Sequence, residues 1–415
     1  MIAKTILILV MAEEKWEEAD FLRQQIALHR QKAKILDMGL LGEAQGPCDI
    51  TREEVILASG KSPEEVALIS DRGKRIPVMV DGARQKVMEL FSYDELSGVI
   101  SVGGTTGTRM ATNIMKSLPF GIPKIAVSST AALPGLASQY IGTADITLMH
   151  SVVEIAGLNI MMKNVLARAA GAICGMAEGS SSIPVSFPSA GEKPIIAMTH
   201  FGPCEECAVN IRKKLEQKGY EVIGFSAAGI GDRAMEEIIE RQDIFSAVID
   251  LAPGGVGEEL LGFSRAAGRT RLEAAGKKGI PQVIAPCGVN FGSPLKRKYK
   301  PEYASRKKYD YDDARTFLRL SHEELIKVAD TMGEKLNWAQ GPVKVLIPLG
   351  GWSSMDKRGT SSYDGEADTV FVTQLKKHLR RDIEVREVNA DLETPEFAGA
   401  VVGALMEILS TVTNG

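Results

Sequence analysis

Short, uninterrupted apolar runs recur along this chain between amphipathic segments, and no other feature limits its possible folds as strongly. Strands buried on both faces have this composition, because helices cover both sides of a parallel sheet. The alternation therefore predicts an α/β fold of two Rossmann-like doubly wound domains with mainly parallel sheets. The runs are ILILV (6–10), GVISV (98–102), IAVSS (125–129), IIAMT (195–199), VIGFS (222–226), AVIDL (247–251), QVIAP (282–286) and KVLIPL (344–349).

A polar seam at residues 177–194 divides the chain. The seam is rich in Ser, Pro and Gly, and a new strand pattern begins directly after it. We therefore place an N-terminal nucleotide-binding domain at 1–182 and a C-terminal domain at 190–415. The segment 291–320 lacks strong periodicity, which predicts either a long functional loop or an excursion onto the partner domain.

Helical patterns fill the intervals between the predicted strands. Amphipathic helices are predicted over 16–30, 207–219 and 232–242. The stretch 158–177 is more apolar, but charged residues interrupt it, which is typical of a buried helix rather than a membrane span.

The composition excludes several classes of protein. A net charge of −4 gives no bulk attraction for a polyanion, and acidic residues follow directly after the basic cluster at 296–308. We expect neither a nucleic-acid partner nor a membrane partner. The N-terminus has no signal-peptide cleavage site, and five cysteines, an odd number, do not form a disulfide framework in a chain of this length. These features favour a cytoplasmic protein.

A glycine loop, GGTTGT, directly follows the apolar run at 98–102. In open parallel sheets, ligands bind at the carboxyl ends of strands, where the N–H groups of the next helix point outward. The loop is neither a Walker A motif nor GxGxxG, so the pattern allows a phosphate-binding loop or a plain tight turn. The residues that would contact a phosphate are Gly103, Gly104, Thr105, Thr106, Gly107, Thr108 and Arg109.

Two cysteines in the second half, Cys204 and Cys207, have the CxxC spacing at the predicted start of a helix. A helix N-terminus lowers the pKa of a thiol, and His200 and Cys287 are further candidates nearby. One interpretation is a redox pair or a metal site, and the other is two small residues that begin a helix.

Three ionisable residues, Asp145, His150 and Glu154, lie in an otherwise apolar stretch. Asp145 is a candidate ligand for Mg²⁺ beside a triphosphate, and the alternative is a helix cap. His150 is predicted to be a core residue.

Longer stretches in a fixed order carry a further signal. In the first half they are ADFLRQQI (19–26), DMGLLGE (37–43), DITREEV (49–55), VGGTTGT (102–108), YIGTADITLMHSVVEIAGLN (140–159) and LARAAGAICGM (166–176). In the second half they are GYEVIGF (219–225), GDRAMEEII (231–239), RLEAAGKKGIPQVIAP (271–286), VNFG (289–292) and IPLGGWSSMD (347–356). Together they resemble the two-domain, Tm-one-like family, which includes the tomato mosaic virus resistance protein.

The resemblance covers nearly the whole chain and implies ATP binding in the first domain, with Mg²⁺, and a homodimer. The family's glycine loop usually reads GGSGGT, which Gly103, Gly104, Gly107 and Thr108 match. The plant protein inhibits a viral replication protein, whereas the bacterial relatives mostly lack an assigned reaction.

The chain departs from the family pattern in three places, which indicates a divergent member. After the first strand the family has D-T-K-G-E, and here the segment is MAEEKWEE (11–18). The family's His-Asn pair in the second domain has no counterpart in YDYDDARTFLRL (309–320), and its T-T-P-C becomes CEEC, in which Cys207 matches and Cys204 is additional.

Three functions remain open at this point. The first is a nucleotide-binding protein that holds ATP and Mg²⁺ at GGTTGT. The second is an enzyme for a small phosphorylated or carboxylated metabolite in the crevice between the domains, with Cys207, Asp250 and Glu258 as candidates for nucleophile or acid–base roles. The third is a non-catalytic interaction protein whose ancestral site has decayed.

Overall fold

The computed structural model describes residues 5–182, 193–312 and 316–413. Most of the predicted linker, residues 183–192, and part of the acidic stretch after the basic cluster, residues 313–315, lie outside the described residues. The chain divides into two compact units, residues 1–185 and 186–415. Among the described residues, the helices are all too short or too polar to cross a membrane.

The first unit is built around five strands. These are β1 (Thr5–Val10), β2 (Lys32–Asp37), β3 (Leu96–Gly103), β4 (Lys124–Ser128) and β5 (Thr147–His150). The helices are α1 (Ala12–Leu28), α2 (Arg52–Ala58), α3 (Pro63–Ala67), α4 (Arg72–Ser92), α5 (Thr105–Met115), α6 (Leu136–Ile141) and α7 (Ile160–Ser182). The strands form one parallel sheet in the order β2-β1-β3-β4-β5.

The second unit contains a larger parallel sheet and a small antiparallel one. The strands are β6 (Ile195–His200), β7 (Glu221–Ser226), β8 (Phe245–Asp250), β9 (Gln282–Ile284), β10 (Phe291–Gly292), β11 (Lys308–Asp310), β12 (Thr316–Arg319), β13 (Val343–Pro348) and β14 (Glu384–Val388). The helices are α8 (Glu205–Glu216), α9 (Ile230–Arg241), α10 (Gly255–Leu261), α11 (Ala274–Lys277), α12 (His322–Asn337), α13 (Gly365–His378) and α14 (Pro395–Thr413). The parallel sheet has the order β14-β13-β9-β8-β6-β7.

Burial explains why these residues form a doubly wound fold. Along β1, Leu7 and Leu9 belong to one hydrophobic core, and Ile6 and Ile8 belong to the core on the other face of the sheet. Side chains of a strand point alternately to opposite faces, so a wholly apolar strand needs helices on both sides. The predicted fold class, two Rossmann-like units with mainly parallel sheets, is confirmed.

The predicted apolar runs all overlap strands of the structure, but three strands of the parallel sheets had no such signal. These are β2, β5 and β14, and each is an edge strand. Edge strands are partly exposed and carry polar residues, as KAKILD and EVREV do, so a search for continuous apolar runs misses them.

The long segment at 291–320 folds within the second unit. Its strands pair in the order β10-β12-β11, and two short 3₁₀ turns, Lys296–Lys298 and Pro301–Ser305, lie between β10 and β11. Phe291 and Phe317 of this sheet pack with Met355 in a small core, which accounts for the lack of a simple period in the sequence.

The two parallel sheets share a topology. When the strands of each parallel sheet are numbered in chain order, the first sheet has the order 2-1-3-4-5. The second sheet has the order 2-1-3-4-5-6, with its sixth strand beside the fifth. In this arrangement the chain leaves the first and third strands in opposite directions, and ligands bind at that switch point, outside the carboxyl ends of the strands. Each of the two parallel sheets therefore has one such switch point.

Candidate functional site

A pocket of about 300 Å³ lies at the switch point of the first unit. It is formed by the segment that follows β1, the end of β3 with the glycine loop, and the first residue of α4. The lining residues are Met11, Glu14, Lys15, Arg72, Val102, Gly103, Gly104, Thr105, Thr106 and Gly107. The structure therefore brings five of the seven predicted loop residues to one cavity.

The N-terminus of α5 faces this pocket without a side-chain cap. Gly104 is the N-cap residue, and among the described residues no side chain accepts a hydrogen bond from the first turn. The first amides of a helix have no partner within the helix and carry partial positive charge. On the neighbouring helix α1, by contrast, the amide of Ala12 donates to Asp37 Oδ1 at 3.0 Å. At this edge of the sheet the protein thus caps α1 with its own carboxylate, whereas the first amides of α5 can donate to an acceptor from outside the protein.

Nothing in the surrounding protein requires glycine at positions 104 and 107. Gly104 has φ −80°, a conformation open to any residue. A Cβ at Gly104 would meet only Ser129 Oγ, at 3.9 Å, and one at Gly107 would meet Met11 Sδ at 3.8 Å. Both are ordinary contacts, so the space over the loop is not taken up by protein. A ligand could therefore approach this backbone closely.

Two cations line the same pocket. Lys15 lies at an irregular turn of α1 (φ −135°, ψ 27°) and is half-buried. Among the described residues it has no ion-pair partner, whereas Arg72 Nη2 donates to Glu14 Oε1 at 3.0 Å. An uncapped helix N-terminus, a glycine loop and an unpaired lysine form a site whose chemistry suits a phosphate.

Two of the predicted loop residues, Thr108 and Arg109, do not line the pocket. Thr108 is buried, and its hydroxyl donates to Ser128 Oγ at 2.8 Å. The chain of hydroxyls continues from Ser128 to Thr130 and from Thr130 to the buried Tyr140, which fixes the loop against β4. Arg109 is exposed on α5 and does not line the pocket. Thr108 holds the loop in position rather than facing a ligand.

Asp145 lies at the wrong edge of the sheet to meet the glycine loop. It precedes β5, and it accepts hydrogen bonds from Lys124 Nζ at 2.6 Å and from the amide of Gly121 at 2.9 Å. Lys124 begins β4, so this is the amino edge of a parallel sheet, and Gly103 ends β3 at the carboxyl edge. The prediction that Asp145 contacts phosphate or Mg²⁺ beside the loop is wrong. Its carboxylate instead pairs with a fully buried lysine whose pKa burial lowers.

His150 is also placed differently from the prediction. It ends the edge strand β5 and is exposed rather than part of the core. Glu154 is exposed as well, and it accepts a hydrogen bond from Ser129 Oγ at 3.4 Å.

The switch point of the second unit contains a buried arginine, which lines a cavity of about 330 Å³ together with residues of α10 and α12. The fully buried Arg271 binds Asp250 through two hydrogen bonds of 2.6 and 2.8 Å, and it also pairs with Asp232 and Glu236. Asp250 ends β8, the third strand, and also accepts from Thr199 of β6 at 2.6 Å. Burial raises the pKa of both Asp232 and Glu236. Asp250, a predicted acid–base candidate, is thus committed to an internal ion pair.

Glu258, the other carboxylate candidate, is equally engaged. It is fully buried, and its oxygens accept from Arg265 Nη2 at 2.7 Å and from Ser293 Oγ at 2.7 and 2.8 Å. The Arg265 guanidinium in turn stacks on Phe317 at 4.5 Å from the ring centroid. This arrangement fixes the segment after α10 and engages both oxygens of Glu258 within the protein.

The CEEC cysteines are buried, and their setting opposes the predicted chemistry. Burial raises the pKa of Cys207 well above the usual range of a thiol. The start of α8 is occupied by the Glu393 carboxylate, which accepts from the amides of Glu206 and Cys207 at 3.4 and 3.5 Å. Within residues 5–182, 193–312 and 316–413, no three His, Cys, Asp or Glu side chains could hold a metal ion. Burial therefore disfavours the nucleophile, redox and metal interpretations of Cys204 and Cys207, which stay predictions.

Packing also explains the glycines that follow β8. A Cβ on Gly254 would lie 2.5 Å from the carbonyl oxygen of Gly288, and one on Gly255 would lie 2.7 Å from Asp232 Oδ2. Such distances are far below contact, so these glycines are needed by the fold itself.

The charged side chains of the pocket were not among the predicted site residues. Lys15 lies in the segment that departs from the family's D-T-K-G-E, and its place as the third residue of EEKWE (13–17) was the available signal. Arg72 had no comparable signal, because it begins a helix more than 50 residues away from Lys15 in the chain.

Comparison with known proteins identifies the family. The N-terminal domain of the uncharacterised protein family UPF0261 matches residues 4–182, and the C-terminal domain of the same family matches residues 193–409. A UPF0261 protein of Clostridium tetani is 36% identical over 411 residues, which cover 98% of this chain and 99% of that protein. A UPF0261 protein of Mesorhizobium japonicum is 32% identical over 408 residues, with 97% and 98% covered.

A plant relative is also similar. The ToMV resistance protein Tm-1(GCR237) of Solanum lycopersicum is 32% identical over 370 residues, which cover 86% of this chain and 48% of the tomato protein. The chain thus spans about half the length of that relative. These matches confirm the resemblance to Tm-one-like proteins, and the chain belongs to the UPF0261 family.

Proposed function

We propose that the first unit binds ATP, or a closely related nucleotide, through its phosphates at the pocket over the glycine loop. The observation that carries this proposal is the coincidence, in one cavity, of the uncapped α5 N-terminus, glycines with open space above them, and the unpaired Lys15. The position at the switch point adds support, because this topology binds ligands there.

Each part of the pocket contributes to holding a phosphate. The amides of Thr105, Thr106 and Gly107 precede the regular hydrogen bonding of α5 and are suited to donate to phosphate oxygens. Lys15 supplies a full positive charge, and a charge-assisted hydrogen bond to phosphate is roughly twice as strong as a neutral one. Thr108 keeps the loop in its binding conformation through Ser128.

Magnesium is proposed to enter with the nucleotide rather than to occupy a site of its own. Mg²⁺ retains several waters and usually binds through one or two carboxylates together with substrate phosphates. Glu14 is the carboxylate among the lining residues of this pocket.

We also propose a cellular compartment and an oligomeric state for the protein. Five cysteines that form no disulfide suit a reducing compartment, and we propose that the protein acts in the cytoplasm, as a homodimer in line with the family resemblance.

Isothermal titration calorimetry of the full chain with Mg·ATP tests the proposal. We expect one site per chain, and at least about tenfold weaker binding in the Gly104→Val variant, because the side chain fills the space over the loop. Lys15→Met should weaken binding by a similar factor.

A matched control is available on another helix of the same unit. Gly175 in α7 is exposed, and a Cβ at this position would have no other atom within 4 Å, so Gly175→Val should bind as the wild type does. Absence of binding by the wild type, or equal binding by the Gly104 and Gly175 variants, would overturn the proposal.

A further inference from the structure

The pocket contains an acid that an anion-binding site does not need. Glu14 lines the cavity beside the α5 N-terminus, and its Oε1 accepts the hydrogen bond from Arg72 Nη2 at 3.0 Å. Both side chains remain 45% exposed, so a ligand can reach them. The Glu14 carboxylate neutralises the charge of Arg72, so the net positive charge of the pocket comes from Lys15.

A fixed carboxylate acts differently on ligands of different charge. Its repulsion grows in proportion to the ligand's negative charge, and a bare triphosphate carries roughly twice the charge of its magnesium complex. The magnesium complex also presents a cation, for which carboxylate oxygens are preferred partners. Glu14 therefore penalises the bare nucleotide more than the complex.

An uncharged residue at position 14 would remove the ion pair with Arg72, whose charge would then attract both forms of the ligand.

We propose that Glu14 is a specificity residue that makes the pocket select a nucleotide polyphosphate complexed with a divalent cation over the bare polyphosphate. The inference rests on the proposed function, because it concerns the same pocket, and it adds which ionic form of the ligand the pocket accepts.

Calorimetric titration with Mg·ATP and with ATP in excess EDTA, at constant ionic strength, tests this inference. The wild type should bind Mg·ATP about tenfold more tightly than bare ATP. Glu14→Gln and Glu14→Thr should bring that ratio close to one, mainly by tightening the binding of bare ATP.

The control is Glu17→Gln, which removes the same charge from an exposed position on α1 that does not line the pocket. It should keep the wild-type ratio. If the wild type binds and the Glu14 variants keep its ratio, the role of Glu14 is refuted and the proposed function stands. If the wild type and the Glu14 variants bind neither form of ATP, the proposed function itself is refuted, and the role of Glu14 with it.

Discussion

The two units have the same strand order through the fifth strand, and both carry a glycine loop after the third strand, yet the two loops have opposite reasons for their glycines. In the first unit a Cβ on Gly104 would meet nothing closer than 3.9 Å, whereas in the second a Cβ on Gly254 would lie 2.5 Å from a backbone oxygen. A glycine-rich loop at a switch point is thus not evidence of a ligand by itself. In a binding loop the space into which a side chain at the glycine position would project is open, whereas in a packing loop the protein itself fills that space.

The charges at the two switch points differ in the same way. In the second unit Arg271 is surrounded by three carboxylates of its own chain. In the first unit Lys15 lacks an ion-pair partner within the described residues. The helices that follow the two third strands, α5 and α10, both begin at a glycine without a side-chain cap, so the two switch points differ in their charges and in the space over their glycines.

The largest effect should come from removing the buried arginine. Arg271→Met leaves three buried carboxylates without their counter-charge, which is expected to lower the free energy of unfolding of the second unit by at least about 3 kcal/mol. Urea denaturation in a Trp16→Phe background measures it, since the remaining tryptophans, Trp338 and Trp352, both lie in that unit. Arg381→Met, at an exposed position of the same unit, should change the stability by less than about 0.5 kcal/mol. Equal effects of the two variants would show that the arginine does not complete the second site.

An alanine pair tests the two glycine loops directly. Gly254→Ala should cost roughly 2 kcal/mol of stability, because the new methyl group meets the carbonyl of Gly288. Gly104→Ala should leave the stability unchanged or slightly higher, while weakening ATP binding. Thermal unfolding and calorimetric titration of both variants separate these effects, and a destabilised Gly104→Ala with normal affinity would reverse our assignment of the two loops.

The smallest effect concerns the carboxylate at the start of α8. Burial raises the pKa of Glu393 to about 7, from an ordinary value of 4.5. A carboxyl group with a raised pKa in the folded state stabilises the protein fully below its unfolded pKa, and this contribution is lost as the pH rises through about 7. The Glu393→Gln variant should therefore gain about 1 kcal/mol relative to the wild type between about pH 5 and pH 8.

Melting temperatures at several pH values measure this difference. Glu396→Gln, an exposed change in the same region, provides the control and should follow the wild type. A Glu393→Gln curve parallel to that of the wild type would mean that burial does not raise the pKa of this carboxyl group.

The fold could be predicted largely from the sequence because its strands are buried on both faces. The apolar run of β1 is a direct consequence of that burial. The edge strands β2, β5 and β14 were missed because polar residues interrupt them, whereas the edge strand β7 has an apolar run and was predicted. The glycine loop was identifiable from its position after β3. The function of the loop could not be identified in this way, because a tight turn and a phosphate-binding loop use the same residue types.

The remaining site residues could not be predicted from local patterns. Asp145 was assigned to the loop because it is acidic and belongs to a family stretch, but the sequence does not say at which end of a strand a residue lies when that strand is an undetected edge. Arg72 reaches the pocket through the packing of α4, which is a tertiary property. The cysteine pair had the right spacing, but the spacing does not show that both thiols are buried.

Amide hydrogen exchange with and without Mg·ATP tests the central claim most directly, because it reports on both switch points in one experiment. We predict that Mg·ATP protects the amides of Thr105, Thr106 and Gly107 and leaves the amides of residues 254–257 unchanged. Protection confined to residues 254–257, or no protection at the start of α5 at saturating Mg·ATP, would contradict this prediction.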